Sequence, residues 1–381
     1  MADRRRKLIF LVTEDWYFWS HRLPMARAAR DAGFAVAVAT RVTAHGERIA
    51  QEGFTLHPLN WRRRDFGLWA NLAALYEIHR LYRRERPSLV HHVALKPAII
   101  GGIAARLARV PRIVSMIAGM GYASTGRSWH QRLAQSVFRW LWPILLLRAN
   151  GRIIVQNPED RDAIAASGAA ARQRIFVIPG SGVDLDRFSP LPEPPEPPIV
   201  AAYVGRMIAI KGVETVVAAQ QQLRREGVAL DLVLAGKPDP DNPSSHDEVK
   251  LRRWSELPGI TWCGHREDVR AVWAGAHIAV LGSLGGEGLP KTLIEAAALG
   301  RAIVATDVPG ARDVARDGVN ALLAPPGDPA AFAAALKRLA GDPARRRRYA
   351  EAGRRLVEAE FSDVKIAAAT VAVYRSFGDL A

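Results

Sequence analysis

At 381 residues the chain is too long for one ordinary hydrophobic core and suits two domains. A composition of 49% hydrophobic and 24% charged residues is globular, and the single cysteine, Cys263, excludes an intrachain disulfide framework and fits a reducing compartment. The formal net charge of +15 lies wholly in the first half: residues 1–188 carry 29 Lys and Arg against 14 Asp and Glu, whereas residues 189–381 carry 24 of each. The start, "MADRRRKLIFLVTED", reaches acids after six apolar or neutral residues, so no signal peptide is expected. A spanning helix needs roughly 18 apolar residues. The longest such run, "WLWPILLL" (140–147), has eight.

Along the chain, short β-branched runs alternate with amphipathic helical stretches, the pattern of parallel sheets wrapped by helices. The first half offers strands at 7–12, 34–40, 88–93, 112–117, 152–157 and 174–179. A proline-rich stretch, "SPLPEPPEPP" (189–198), then reads as a stiff extended linker, since proline continues neither a helix nor a central strand. Strands resume at 199–206, 230–236, 260–264, 277–282, 301–306 and 321–326. The expected fold is α/β, two Rossmann-like domains joined by this linker. The domains are set at 1–188 and 199–360, with a helix over 361–381 returning to the first domain. "RRRR" (345–348) is a biased segment without an assigned role.

In open α/β sheets ligands bind where strand ends enter loops, so motifs there carry the chemistry. No strand is followed by GxGxxG and no GxxxxGK[ST] occurs, which removes most support for redox and ATPase readings. The strand "IVAAYVGR" ends in Gly205-Arg206, and Lys211-Gly212 follows five residues on. A guanidinium fork and a mobile ammonium leaving one strand end suit a diphosphate; the plain alternative is two solvated loop cations. "GSLGGEGLPKTLIEAAALG" (282–300) reads as a glycine-rich loop followed by a helix with Pro290 near its first turn. Glycines let the backbone approach a ligand closely, and the helix start offers free N–H groups to phosphate. Glu287 then points from the loop beyond the phosphates, towards a sugar, while Glu295 faces back along the cleft towards ribose hydroxyls. Alternatively the two are a solvated loop acid and a satisfied helix acid.

GR-x4-KG followed by E-x7-E, together with "VIPGSGVDLDRFSP" (177–190) and "DVPGARDVARDGVNALLAPPGD" (307–328), resembles the retaining glycosyltransferase family 4 over nearly the whole chain. The resemblance implies the GT-B fold, two Rossmann-like domains facing a central cleft. It also implies hexosyl transfer from a nucleotide-diphosphate-sugar, UDP-linked by expectation, with no cofactor and no essential metal. By that likeness Arg206 and Lys211 hold the diphosphate, with Gly205 beside them. Glu295 meets the ribose, and Glu287 the donor sugar, flanked by Gly288, Leu289 and Pro290. Gly264 and His265, in "CGHRED" (263–268), mark where backbone groups usually meet the base.

"SLVHHVALKPAIIGGIAARLARVPRIVSMIAGMGY" (88–122) resembles the members that extend sugars on polyprenyl-diphosphate carriers. Acceptor contacts are expected from Trp16, His92, Lys96 and Gly119. One histidine of the adjacent pair His91–His92 must point into the sheet packing, so at most one contacts substrate. The family histidine after the fifth strand is replaced here by "AGMG" (118–121), so close backbone approach by Gly119 is expected instead. Four aromatics in "TEDWYFWSHRLP" (13–24) form either a sugar platform, a membrane contact or a cap on the core. The stretch 126–148 combines Trp129, Trp140 and Trp142 with Arg127, Arg132, Arg139 and Arg148, the composition of an interfacial helix, though a core helix fits too.

The expected enzyme sits peripherally on the cytoplasmic face of the membrane, drawn by the basic first half and by 126–148, and takes a lipid-linked saccharide acceptor. A sugar-nucleotide epimerase of the same fold and a transferase acting on a soluble acceptor are the alternatives. A nucleic-acid-binding role lacks the arginine stripe with base-stacking aromatics that it needs.

Overall fold

The computed structural model describes residues 6–63, 67–117, 150–166, 169–240 and 242–378. Gly119 and the stretch 126–148 therefore lie outside the described residues. The chain divides into two compact units, one formed by Met1–Ser181 with Asp363–Ala381, the other by Gly182–Ser362.

The first unit holds a parallel sheet of β1 (Arg6–Glu14), β2 (Phe34–Arg41), β3 (Thr55–Pro58), β4 (Leu89–Val93), β5 (Ile113–Ile117), β6 (Gly151–Val155) and β7 (Ile175–Val177), in the order β3-β2-β1-β4-β5-β6-β7. Both faces are covered. Leu8, Phe10 and Val12 pack with helices Leu23–Asp31 and Asp363–Arg375, while the alternating Ile9 and Leu11 pack with helices Leu68–Glu85 and Leu95–Leu107. Burial on both sides explains why these strands read as continuous β-branched runs rather than alternating ones. The edge strand β3 was not expected, because its four residues are only partly buried or exposed and end in proline.

The four aromatics of the stretch 13–24 lie on the helix Asp15–His21. Phe18 is buried, Trp19 stacks on His45 and Tyr17 on His21, and Trp16 is exposed.

His92 does not sit on a binding surface, which corrects the expectation of an acceptor contact. His91 and His92 are both fully buried on opposite faces of β4, His91 Nδ1 2.6 Å from the Tyr374 hydroxyl and His92 Nε2 3.1 Å from that of Tyr82. The two-sided cover leaves neither face of β4 open. Burial holds His92 down at about 3, and burial, with the nearby Arg22 and His92, holds His91 well below the usual imidazole range. Both are neutral in the fold but take up protons when unfolded below about pH 6.5. The unfolded state then binds more protons, so stability is lost as pH falls from about 6.5 towards 3, His92 alone costing about 2 kcal/mol at pH 5. Thermal melts at pH 7 and pH 5 should show a smaller acid-induced drop in His92→Gln than in the wild type; equal drops would contradict this.

The second unit holds a parallel sheet of β8 (Ile199–Val204), β9 (Leu230–Ala235), β10 (Ile260–Gly264), β11 (Ile278–Leu281), β12 (Ala302–Thr306) and β13 (Ala321–Ala324), in the order β10-β9-β8-β11-β12-β13. The chain builds outward from β8 in one direction, then crosses to β11 and builds in the other. The strand order reverses between β8 and β11, and that reversal is where open α/β sheets bind ligands.

The proline-rich stretch lies within this unit and is strapped along it rather than free. The fully buried Arg301 donates to the carbonyls of Trp273 and Pro192, both at 2.8 Å. Arg346, from the arginine run, is also fully buried; it donates to Leu339 O at 2.8 Å and pairs with Glu193 and Glu196. His277 accepts from Val200 N at its Nδ1, which leaves Nε2 to donate to Pro194 O at 3.1 Å.

Candidate functional site

Three loops meet at the strand reversal of the second unit, and glycines bring them together. Gly212, which follows the short turn Ala209–Lys211, has φ 64°, and a Cβ there would lie 1.6 Å from the carbonyl oxygen of Gly282 at the end of β11. Gly310, after β12, has φ 78°, and its Cβ would lie 2.1 Å from Gly288 O. Only glycine allows both the left-handed backbone and so close an approach. The backbone of Leu284 also donates to Ile210 O at 2.9 Å, fixing the loop after β11 against the one after β8.

This junction places Lys211 against Glu287. The lysine Nζ donates to both carboxylate oxygens at 2.7 Å, and the Ser283 hydroxyl donates to the same carboxylate. Ser283 in turn accepts the Thr306 hydroxyl at its carbonyl, 2.5 Å away. Glu287 is 8% exposed, so it is held by hydrogen bonds on a shaped loop and is not the solvated acid of the plain alternative.

Arg206 leaves the same strand end, its carbonyl accepting the Tyr203 hydroxyl at 2.8 Å. Its guanidinium pairs with Asp239 in the loop after β9, at 2.7 Å. The expected convergence of Arg206 and Lys211 on one anion therefore takes a different form in this structure. Each cation is held by a separate carboxylate, because a partly buried charge without an anionic ligand is costly unless paired.

Pro290 caps the helix Lys291–Ala298 instead of lying in its first turn, and Leu293 N donates to its carbonyl at 3.0 Å. Leu289 and Glu295 are buried. Burial pushes the Glu295 carboxyl above its usual range, opposed by Lys291, 3.6 Å away, and by Arg187. Gly264, with φ 70°, ends β10, and its carbonyl accepts from Gly236 N at 2.8 Å; His265 beyond it is exposed. These two lie at the edge strand, with β9 between them and the strand of Arg206.

In the first unit, Trp16 follows β1 and Lys96 follows β4, the two strands at which that sheet also reverses. Lys96 Nζ donates to Arg62 O at 2.6 Å and lies over the Trp61 ring at 5.9 Å.

Sequence reasoning missed Asp239, Ser283 and Thr306. Asp239 stands in a strand-end loop, "GKPDPD" (236–241), so the rule that pointed to Arg206 would have flagged it too. The other two are visible only once the loops are seen to touch.

Both halves of the chain resemble known proteins. Residues 198–342 match the family described as "Glycosyl transferases group 1", and residues 7–148 match "Glycosyl transferase 4-like". The chain is 25% identical over 292 residues, 73% of each chain, to the UDP-Gal:alpha-D-GlcNAc-diphosphoundecaprenol alpha-1,3-galactosyltransferase of Escherichia coli. Among solved structures it is similar to the sucrose-phosphate synthase of Thermosynechococcus elongatus (TM-score 0.79, 21% identity, 98% and 99% of the two chains). It is also similar to HepE of Anabaena in complex with UDP-glucose (TM-score 0.75, 17% identity, 97% and 99%). With two parallel Rossmann-like sheets and these matches over both halves, the chain belongs to the family 4-type glycosyltransferases of the GT-B fold.

Proposed function

We propose that the protein moves a hexose from a UDP-sugar to a polyprenyl-diphosphate-linked saccharide, with retention of configuration, on the cytoplasmic face of the membrane. The observation that carries this reading is the Lys211–Glu287 pair at the strand reversal, flanked by Arg206 and Glu295. A donor diphosphate would draw Lys211 and Arg206 from their carboxylates, exchanging one anionic partner for another. Glu287, so released, would accept hydroxyls of the donor sugar, and Glu295 those of the ribose. Gly288, Leu289 and Pro290 shape the loop, and Gly264 with His265 would border the base.

The bond between the anomeric carbon and the diphosphate oxygen breaks as the acceptor hydroxyl oxygen bonds to that carbon. The acceptor proton passes to the departing diphosphate oxygen. The two cations stabilise the charge that develops there, a preorganised electrostatic role. Trp16 and Lys96 would meet the acceptor. The lipid-linked acceptor is supported by the Escherichia coli relative, and the UDP-linked donor by that relative and by HepE. No helix among the described residues is long and apolar enough to cross a membrane. The proposed membrane contact is peripheral, through 126–148 and the basic first half.

Among the described residues no group of three or more His, Cys, Asp or Glu is placed to hold a metal ion. The metal-independent reading is tested by incubation with a panel of nucleotide sugars, which should show slow hydrolysis of one of them that persists in EDTA. Loss of hydrolysis in EDTA with rescue by magnesium or manganese would overturn the metal-independent reading, and hydrolysis of none would overturn the donor assignment.

A further inference from the structure

The helix Leu68–Glu85 carries two apolar faces where a surface helix needs one. Ala74, Ile78, Leu81 and Tyr82 are buried against the sheet of the first unit. Leu68, Trp69, Leu72 and Tyr76 fall within roughly 100° of one another on the opposite side, given 3.6 residues per turn. They are 69%, 81%, 43% and 63% exposed. Scattered exposed apolar residues need no explanation, but a contiguous stripe with a tryptophan at its apex marks an interaction surface.

The charge along the helix says what the stripe meets. Arg80, Arg83 and Arg84 are exposed and continue the face towards the C-terminus, with the Arg80 guanidinium 5.7 Å from the Tyr76 ring. A cleft of about 710 Å³ opens beside them, lined by His57, Tyr76, Glu77, Arg80 and Arg84. The helix's two acids are already engaged. Glu77 accepts from Asn60 N at 3.2 Å, and Glu85 accepts from Lys7 and Arg84, both at 2.8 Å. The basic excess of the chain also lies in this half.

We infer that this face docks the first unit on an anionic lipid surface, separately from the stretch 126–148. Leu68, Trp69, Leu72 and Tyr76 enter the boundary between headgroups and acyl chains, where tryptophan and tyrosine are favoured. The arginines meet lipid phosphates, with the cleft receiving a headgroup. A protein partner would be served by the apolar stripe alone, whereas aromatics bordered by Arg80 and Arg83, which pair with no acid among the described residues, are complementary to an anionic interface. The inference rests on the proposed lipid-linked acceptor, which requires the enzyme to work at a membrane.

The test uses the full chain with vesicles of phosphatidylcholine alone or with phosphatidylglycerol, read by co-sedimentation over a range of salt. The wild type should bind only the anionic vesicles, and less as salt rises. Trp69→Ser with Leu72→Ser should weaken binding about tenfold while keeping the salt dependence, and Arg80→Glu with Arg83→Glu should lose most of that dependence, since screening acts on the charge term alone. Both pairs are on the surface, so thermal melting and nucleotide-sugar hydrolysis in solution should match the wild type. Wild-type indifference to anionic vesicles, or variants that bind like the wild type, would overturn the inference. So would loss of binding in Trp140→Ser with Trp142→Ser alone, or a wild-type dimer that Trp69→Ser dissociates. Absence of hydrolysis in the wild type would instead count against the donor reading and leave the vesicle result to stand on its own.

Discussion

Glu287→Ala is expected to lower turnover by roughly 30- to 1000-fold, the equivalent of about 2–4 kcal/mol of lost transition-state stabilisation. The carboxylate is buried, receives both Lys211 and Ser283, and stands where the loops after β8 and β11 join. Lys211→Ala should cost a similar factor, because it removes the cation expected to meet the departing diphosphate. The double variant should lose little more than either single one, since residues that act as a unit are not additive. Glu295→Ala is expected to weaken donor binding. Steady-state rates with circular dichroism as a fold control check all four variants. A Glu287→Ala enzyme with wild-type turnover would remove the carboxylate from the mechanism, and a Glu295→Ala enzyme with wild-type rate and donor affinity would remove that residue.

Gly212→Ala should be more damaging than its size suggests. The added methyl would stand 1.6 Å from a backbone oxygen that cannot swing aside, on a residue with φ 64°. Left-handed backbone at a non-glycine residue costs roughly 1–2 kcal/mol by itself. The clash adds to it by forcing the loops after β8 and β11 apart, which carries Lys211 away from Glu287. Gly227→Ala is the matched control, with φ 78° and no atom within 4 Å of the added Cβ. Denaturant melts should show Gly227→Ala losing about 1–2 kcal/mol with normal activity. Gly212→Ala should lose about 3 kcal/mol or more, together with nearly all turnover. Equal effects of the two substitutions would mean that the loop contact is not required.

Much of this was legible in the sequence, for identifiable reasons. Parallel strands buried on both faces leave unbroken β-branched runs, and twelve of the thirteen strands among the described residues follow from them. The thirteenth, Thr55–Pro58, has neither burial nor pattern to announce it. The site was legible to the extent that its members share a strand-end loop, as Gly205, Arg206 and Lys211 do. What spacing could not show was contact between loops distant in sequence: Arg206 with Asp239, Ser283 with Thr306, and the glycines that let Gly212 and Gly310 reach their neighbours. The histidines show where a sound rule was misapplied. Alternation along a strand puts one residue of a pair outward only when one face is open, and β4 has none. Arg346 stands in a run to which the sequence assigned no role, and it is buried as an anchor for Glu193 and Glu196.

The proposed reaction, movement of a sugar from a nucleotide donor to a lipid carrier, can be followed by transfer itself. The protein would be mixed with radiolabelled UDP-sugars and a polyprenyl-diphosphate-linked saccharide in anionic vesicles, and the lipid phase extracted and counted. Label is expected in the lipid phase from one donor, with the anomeric configuration of the donor preserved, and almost none with Lys211→Ala or Glu287→Ala. Label that stays in the aqueous phase, as an epimerised sugar or on a soluble acceptor, would contradict it.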